Sequence, residues 1–178
     1  MVRVAYGACE LSSLNTILCL TEKFSVELDK LVREFRGALE STTPHDFDGT
    51  SLAVSQFPDA CCDDSSLLLA AYLADNGFPE VHVIRGADGG SNGELGSHVW
   101  LELDGIQIDI TADQFNDYGY SNQPVIIERE NEFLSTFDSK NAGAGDFREF
   151  VLKYNDAGLM GDFKDCYSKV IDIIGENT

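Results

Sequence analysis

The segment 97–114 constrains the fold most, because its pattern is that of a β-hairpin whose register can be read directly. Two runs of alternating apolar and polar residues flank the pair Asp104-Gly105. An Asp-Gly pair between such runs is a strong hairpin signal, since both positions of the tight turn need a positive φ. With the turn placed there, six apolar side chains share one face, which we expect to be the buried one. They are Val99, Leu101, Leu103, Ile106, Ile108 and Ile110.

The other face of the hairpin is predicted to hold a His–Asp pair. His98 and Asp109 are diagonal neighbours there, with roughly 5–8 Å between their Cβ atoms. A carboxylate at that distance can accept the Nδ1 proton of an imidazole and fix its tautomer. Trp100 lies opposite Asp109, where it would shield the pair from water. Asp113 is an alternative acid, although it follows the regular part of the hairpin.

Cys62 is the candidate nucleophile, because it lies where a loop becomes the N-terminus of a predicted helix. Unpaired N–H groups and the helix dipole favour a thiolate there. A nearby His98 would favour it further, and Asp109 would orient that imidazole. Cys61 is the weaker alternative. The other cysteines are expected to be structural; they are Cys9, Cys19 and Cys166.

Backbone N–H groups around Cys62 are expected to meet the oxyanion of an acyl transfer, and Gln114 is one candidate for side-chain support. The same Cys62, His98 and Asp109 offer a different interpretation, a three-ligand zinc site, but no Cys-x-x-Cys pair accompanies them. We therefore predict neither a metal nor a cofactor. The other two histidines are expected at exposed positions; they are His45 and His82.

The composition fits one globular domain. The chain has 178 residues, of which 43% are hydrophobic, and a net charge of −19. This charge argues against nucleic acid or an anionic membrane as a partner. Its simplest interpretation is a solvated surface. A basic substrate or partner stays open. The charge and the pattern give no oligomeric state.

Localisation is predicted to be cytoplasmic. The five cysteines are odd in number and suggest no disulfide framework, which is simplest in a reducing compartment. The residues before Glu10 do not have the pattern of a signal peptide, and no segment is long and apolar enough to cross a membrane.

The order of predicted elements is that of an α+β fold. Apolar residues at helical spacing predict helices in 10–40, with a break near residues 21–25, and in 147–174, interrupted at Gly158 and Gly161. Another helix begins at Cys62 and ends at about Asn76. Strands are predicted at 81–85, in the hairpin and at 125–127. Glycine-rich stretches at 86–96 and 138–145 are expected to be loops, and the first could act as a mobile flap.

Two blocks of the sequence resemble the papain-like and transglutaminase-like cysteine enzymes: FPDACCDDSSLLLAAYL and SHVWLELDGIQIDITADQF. Both blocks also resemble a group of uncharacterised bacterial proteins of this type. Their pattern Phe-Pro-x-small-x-Cys-x-Asp-x-Ser puts the nucleophile at Cys62, and Asp64 and Ser66 match it. Asp63 stands where a Gly is often expected and adds a negative charge beside the thiolate.

The resemblance implies a Cys-bearing helix packed on a small antiparallel sheet whose successive strands carry His and Asp. The resemblance covers about residues 57–115, and the predicted core is about residues 57–128 within one domain, 1–178, flanked by the helices in 10–40 and 147–174. The implied function is a cysteine-dependent acyl transfer on a peptide, amide or protein substrate, as in a peptidase, amidase, deamidase or transglutaminase. The alternative is a catalytically inactive member of the fold that binds a basic protein through its acidic surface, which Asp63 and Asp64 favour.

Overall fold

A computed structural model describes the backbone of residues 8–176 and the side chains of residues 22–176. The fold is α+β: a five-stranded antiparallel sheet with helices packed against it. The helices are α1 (Ala8–Glu40), α2 (Cys62–Asp75), α3 (Phe147–Leu152) and α4 (Ala157–Glu176). The strands are β1 (His82–Ala87), β2 (Ser97–Leu103), β3 (Ile106–Asp109), β4 (Ile126–Glu128) and β5 (Asp138–Ala144).

The sheet has the strand order β4-β3-β2-β1-β5, so the predicted hairpin β2–β3 lies near its centre. Its register is confirmed: Leu101 pairs with Ile108 and Leu103 with Ile106. Asp104 and Gly105 have φ angles of 50° and 73°, as their turn requires. The paired ladder ends at Leu101–Ile108, because β3 stops at Asp109 and the chain turns into a short 3-10 helix, Ala112–Tyr118.

Both faces of the hairpin are buried, and only one of them was expected to be. Five of the six predicted apolar side chains belong to the main core, together with residues of all four helices, and the sixth, Ile106, is partly buried and packs against it. A second, mainly aromatic core covers the opposite face around Trp100. Its phenylalanines come from segments after the hairpin, so the pattern of the hairpin alone could not reveal this layer.

The helical flanks differ from the prediction at their breaks. Helix α1 runs without interruption through residues 21–25, which contain no proline or glycine to end it. The side chains of residues 8–21, Cys9 and Cys19 included, lie outside the described part. Near the C-terminus the break falls before Ala157, where Asn155 has a φ of 52°, whereas Gly158 and Gly161 lie within α4.

Residues 138–145 are not the loop that their glycines predicted. Residues Asp138–Ala144 form the edge strand β5, which pairs antiparallel with β1. Most of the strand is exposed, so its sequence lacks the apolar alternation that marks a half-buried strand. Gly86 and Ala87, expected in a loop, extend β1. No helix in the described part of the chain is both long enough and apolar enough for a membrane span.

Arg36 joins α1 to the segment that follows β3. Its side chain is buried and donates hydrogen bonds to the carbonyl oxygens of Ile110 and Pro124, both at 2.6 Å. It also forms a two-pronged ion pair with Asp113, with N–O distances of 2.9 and 2.8 Å. Arg36 thereby holds the chain directly after Asp109 in place.

We predict that Arg36→Ala lowers the free energy of unfolding by about 3 kcal/mol, because it leaves buried acceptors without donors and Asp113 without its cation. Arg33→Ala is the matched control, since Arg33 is an exposed arginine of the same helix paired with Asp29. It should cost less than about 1 kcal/mol. Urea denaturation of both variants tests this, and equal losses would contradict the role given to Arg36.

Candidate active site

Cys62 is the first residue of α2 and is half-buried. The first i→i−4 bond of the helix runs from the N–H of Ser65 to the carbonyl of Cys61. The N–H groups of the preceding turn therefore have no partner within the helix. The carboxylates of Asp63 and Asp64 favour a helix start here through the helix dipole.

Helix α2 is fixed to β2 immediately beside the predicted histidine. Ser66 donates a hydrogen bond to the carbonyl of Val99, at 3.3 Å. Val99 follows His98 in β2, and Ser66 lies one helical turn after Cys62. This bond sets the position of the N-terminus of α2 relative to His98.

The structure brings His98 and Asp109 into direct contact. Both side chains are completely buried, and His98 Nε2 lies 2.6 Å from Asp109 Oδ2. The contacting nitrogen is Nε2, so the prediction that Asp109 would hold Nδ1 is wrong. Approach through Nε2 leaves Nδ1 buried and without a hydrogen-bond partner among the described side chains.

Thr111 holds the second oxygen of Asp109. Asp109 Oδ1 accepts a hydrogen bond from the Thr111 N–H at 2.7 Å and another from its hydroxyl at 3.1 Å. The carboxylate is thus bonded on both oxygens and cannot rotate freely. Thr111 is a site residue that was not predicted, although its signal is local, because an Asp commonly bonds the N–H two residues later.

Aromatic rings enclose the imidazole of His98. The ring centroids of Phe115 and Phe137 lie 5.0 and 5.6 Å from it, and that of Trp100 lies 5.9 Å from it. Phe133 completes the group at 6.4 Å. Trp100 occupies the shielding position expected of it. Phe133 and Phe137 are distant in sequence and carry no local signal for this contact.

The surroundings of His98 favour its protonated form. Burial lowers the pKa of His98, but the negative charge and hydrogen bond of Asp109, followed by the interaction with Cys62, outweigh burial and raise it to about 9. The protonated imidazolium is therefore the favoured form of the ring at neutral pH, with Cys62 as its neighbour.

Cys62 and His98 line a common pocket of about 420 Å³. Its other walls come from the end of β1, from the start of β2 and from the first residues of the edge strand β5. Two acidic and two basic residues line it: Asp63, Asp138, Arg85 and Lys140. The half-buried Cys62 is thus accessible from the pocket, whereas the side chains of His98 and Asp109 are completely buried beside it.

The neighbouring Cys61 has different surroundings. It is completely buried, and its Sγ lies 3.1 Å from the carbonyl oxygen of Asp59. Burial, with the negative charge of Asp64, raises the pKa of this thiol to about 12. Cys166 is also buried and contacts the hydroxyl of Thr50. Cys62, by contrast, lines the pocket that it shares with His98.

Three other candidates have structural contacts outside this pocket. Asp64 accepts a hydrogen bond from the N–H of Ser51 at 2.6 Å. Gln114 accepts one from the N–H of Ala60 and donates one to the carbonyl of Thr111, so its amide supports the loop before Cys62. Asp113 binds Arg36 and is not the partner of His98.

The expected flap is bonded to two neighbouring residues, Thr136 and Tyr120. In the loop 88–96, the N–H of Gly90 donates to the hydroxyl of Thr136, and Tyr120 donates to Glu94. His45 and His82 are exposed, as predicted. Within the described residues, no group of three or more His, Cys, Asp or Glu side chains is arranged to hold a metal ion.

Comparisons of the chain with protein-family models, with curated proteins and with solved structures found no match.

We predict that His98 makes stability fall at alkaline pH. A folded-state pKa above the ordinary value of 6.5 adds stability that is complete below pH 6.5 and is lost as the pH rises through about 9. His98 is thereby expected to contribute about 3 kcal/mol to the free energy of unfolding. Urea denaturation at pH 6.5 and 9.5 should show a larger loss for the wild type than for Asp109→Asn, which removes the charge that raises the pKa. Equal losses would contradict the prediction, and NMR titration of the His98 ring measures its pKa directly.

Proposed function

We propose that the protein is a cysteine-dependent acyl-transfer enzyme of the papain-like or transglutaminase-like type. The observation that carries the proposal is the buried His98–Asp109 pair, whose imidazole interacts with Cys62 and lines one pocket with it. A helix-borne cysteine beside a histidine held by a buried acid is the arrangement used for nucleophilic catalysis.

The raised pKa of His98 defines the resting state in this proposal. Because the imidazole binds a proton at neutral pH, it can hold the proton that Cys62 releases, which gives a thiolate–imidazolium pair. Asp109 stabilises the imidazolium and fixes the ring, and Thr111 fixes Asp109. The aromatic rings around His98 exclude water from the pair, so its attraction is weakly screened.

The reaction begins when the Cys62 thiolate attacks the carbonyl carbon of an amide or ester. The oxyanion that forms is met by the free N–H groups of the first turn of α2. Collapse of this intermediate breaks the bond to the leaving group, which takes its proton from the His98 imidazolium, and leaves a thioester on Cys62. Neutral His98 then takes a proton from water or from an amine, whose attack releases the acyl group and restores the thiolate.

The alternative of an inactive acidic binding module depends on the carboxylates of Asp63 and Asp64 beside Cys62. Both are engaged within the molecule: Asp63 pairs with Arg85, and Asp64 binds the backbone of Ser51. This engagement supports the enzyme over the binding module.

We predict that Cys62 is the thiol near the helix start that reacts with iodoacetamide at pH 7. Cys62→Ala should remove labelling of the peptide that contains residues 61 and 62, because Cys61 is buried and its thiol pKa is raised. The adjacent Cys61→Ala is the matched control and should keep the labelling. Mass spectrometry measures the labelling in both variants. Equal labelling of Cys62→Ala and the wild type would contradict the assignment of Cys62 as the reactive thiol.

An activated ester should reveal the thioester. Incubation with p-nitrophenyl acetate is expected to release one equivalent of p-nitrophenol in a burst and to leave an acetyl group on Cys62 that hydroxylamine removes. His98→Ala should slow the burst by about 10²–10⁴-fold through loss of acid–base catalysis. Absence of the thioester in a folded wild-type protein, checked by near-UV circular dichroism, would overturn the proposed function.

A further inference from the structure

Arg85 is a charged residue that lines the pocket and has no role in the reaction steps proposed above. It lies in β1 and pairs across the sheet with Val99, the residue after His98. Its guanidinium forms a two-pronged ion pair with Asp63, with N–O distances of 2.8 and 2.7 Å. Asp63 directly follows Cys62, so this pair lies beside the candidate nucleophile.

The position of the guanidinium is fixed by three elements. Strand β1 supplies the side chain, α2 supplies the carboxylate of Asp63, and α3 supplies the ring of Phe150, whose centroid lies 5.5 Å from Arg85 Cζ. Two parallel hydrogen bonds and a ring contact restrict an arginine far more than a single exposed ion pair does. The charge is therefore held at a defined place in the wall that it shares with Cys62.

Without a cation at this place, Asp63 would put a negative charge beside a developing thiolate. Like charges repel, so in a protein of net charge −19 a further carboxylate beside Cys62 disfavours the thiolate. Burial lowers the pKa of Arg85, but the hydrogen bonds and charge of Asp63 and, more weakly, the charges of Tyr154 and then Cys62 outweigh burial and raise it. Arg85 thus interacts with both negative groups.

We propose that Arg85 is a positioning residue that makes Cys62 reactive, because its guanidinium neutralises Asp63 and supplies positive charge beside the thiolate. The inference rests on the proposed function, in which Cys62 is the nucleophile. It also gives Asp63 a role: the carboxylate holds the arginine in the pocket wall, so a charge that is unfavourable by itself becomes half of a neutral pair.

The test measures the rate of iodoacetamide alkylation at Cys62 in the full chain at pH 7. Arg85→Met keeps the stem that packs on Phe150 but leaves Asp63 uncompensated, and we expect the rate to fall about 10-fold. Arg85→Lys should retain part of the rate. Arg129→Met is the matched control, because Arg129 lies at the hairpin turn and contacts the carbonyl of Asp104, and it should not change the rate.

Asp63→Asn separates the role of charge from that of structure. It breaks the same ion pair as Arg85→Met, so a purely structural pair predicts an equal loss of rate in both variants. The charge role predicts that Asp63→Asn keeps or raises the rate, and that Asp63→Asn combined with Arg85→Met returns it to within about threefold of the wild type. In Arg85→Met, the alkylation rate of Cys62 should fall more for negatively charged iodoacetate than for neutral iodoacetamide.

A wild-type rate in folded Arg85→Met, or an equal loss in Asp63→Asn, would overturn the inference. Alkylation of Cys62 can be measured whether or not the protein forms an acyl-enzyme. Unchanged alkylation in Arg85→Met, together with a hydroxylamine-sensitive thioester, would refute only the role proposed for Arg85. Absence of the thioester would refute the proposed function.

Discussion

The arrangement of the candidate site depends on the buried contact between His98 Nε2 and Asp109 Oδ2. Burying an acid and a base costs free energy unless each satisfies the other, and here the contact is short and the second carboxylate oxygen is bound by Thr111. Because Asp109 occupies Nε2, the ring presents Nδ1 towards Cys62. One contact therefore favours the charged form of the histidine and sets the direction of its ring.

The surrounding fold supports this contact from both faces of the hairpin. The main core positions α2 against β2, and the bond from Ser66 to Val99 brings the start of that helix beside His98. The aromatic core covers the opposite face and surrounds the imidazole with rings from Phe115, Phe133 and Phe137. Arg36 secures the chain that leaves β3. A buried polar pair is thus enclosed by two apolar layers, with one opening at the pocket.

Electrostatics near Cys62 differ from those of the molecule as a whole. The chain carries a net charge of −19, yet the pocket combines Arg85 and Lys140 with Asp63 and Asp138. An acidic surface would repel a thiolate, so local neutrality is a physical condition for the proposed chemistry. The ion pair of Asp63 and Arg85 provides this local neutrality at the residue next to Cys62.

The sequence by itself determined the elements whose signal is local. The Asp-Gly turn and the period-2 alternation established the β2–β3 register, and the helix-start pattern established α2 with Cys62 at its first residue. Together they predicted that His98 and Asp109 would be neighbours, as the structure has them. Long-range packing decided the rest: strand β5 is held by pairing with β1 rather than by its own pattern. Helix α1 is a separate case, because no breaker divides it. The aromatic enclosure, the choice of Nε2 and the pairing of Asp63 with Arg85 join residues that are distant in sequence, so only the tertiary structure could decide them.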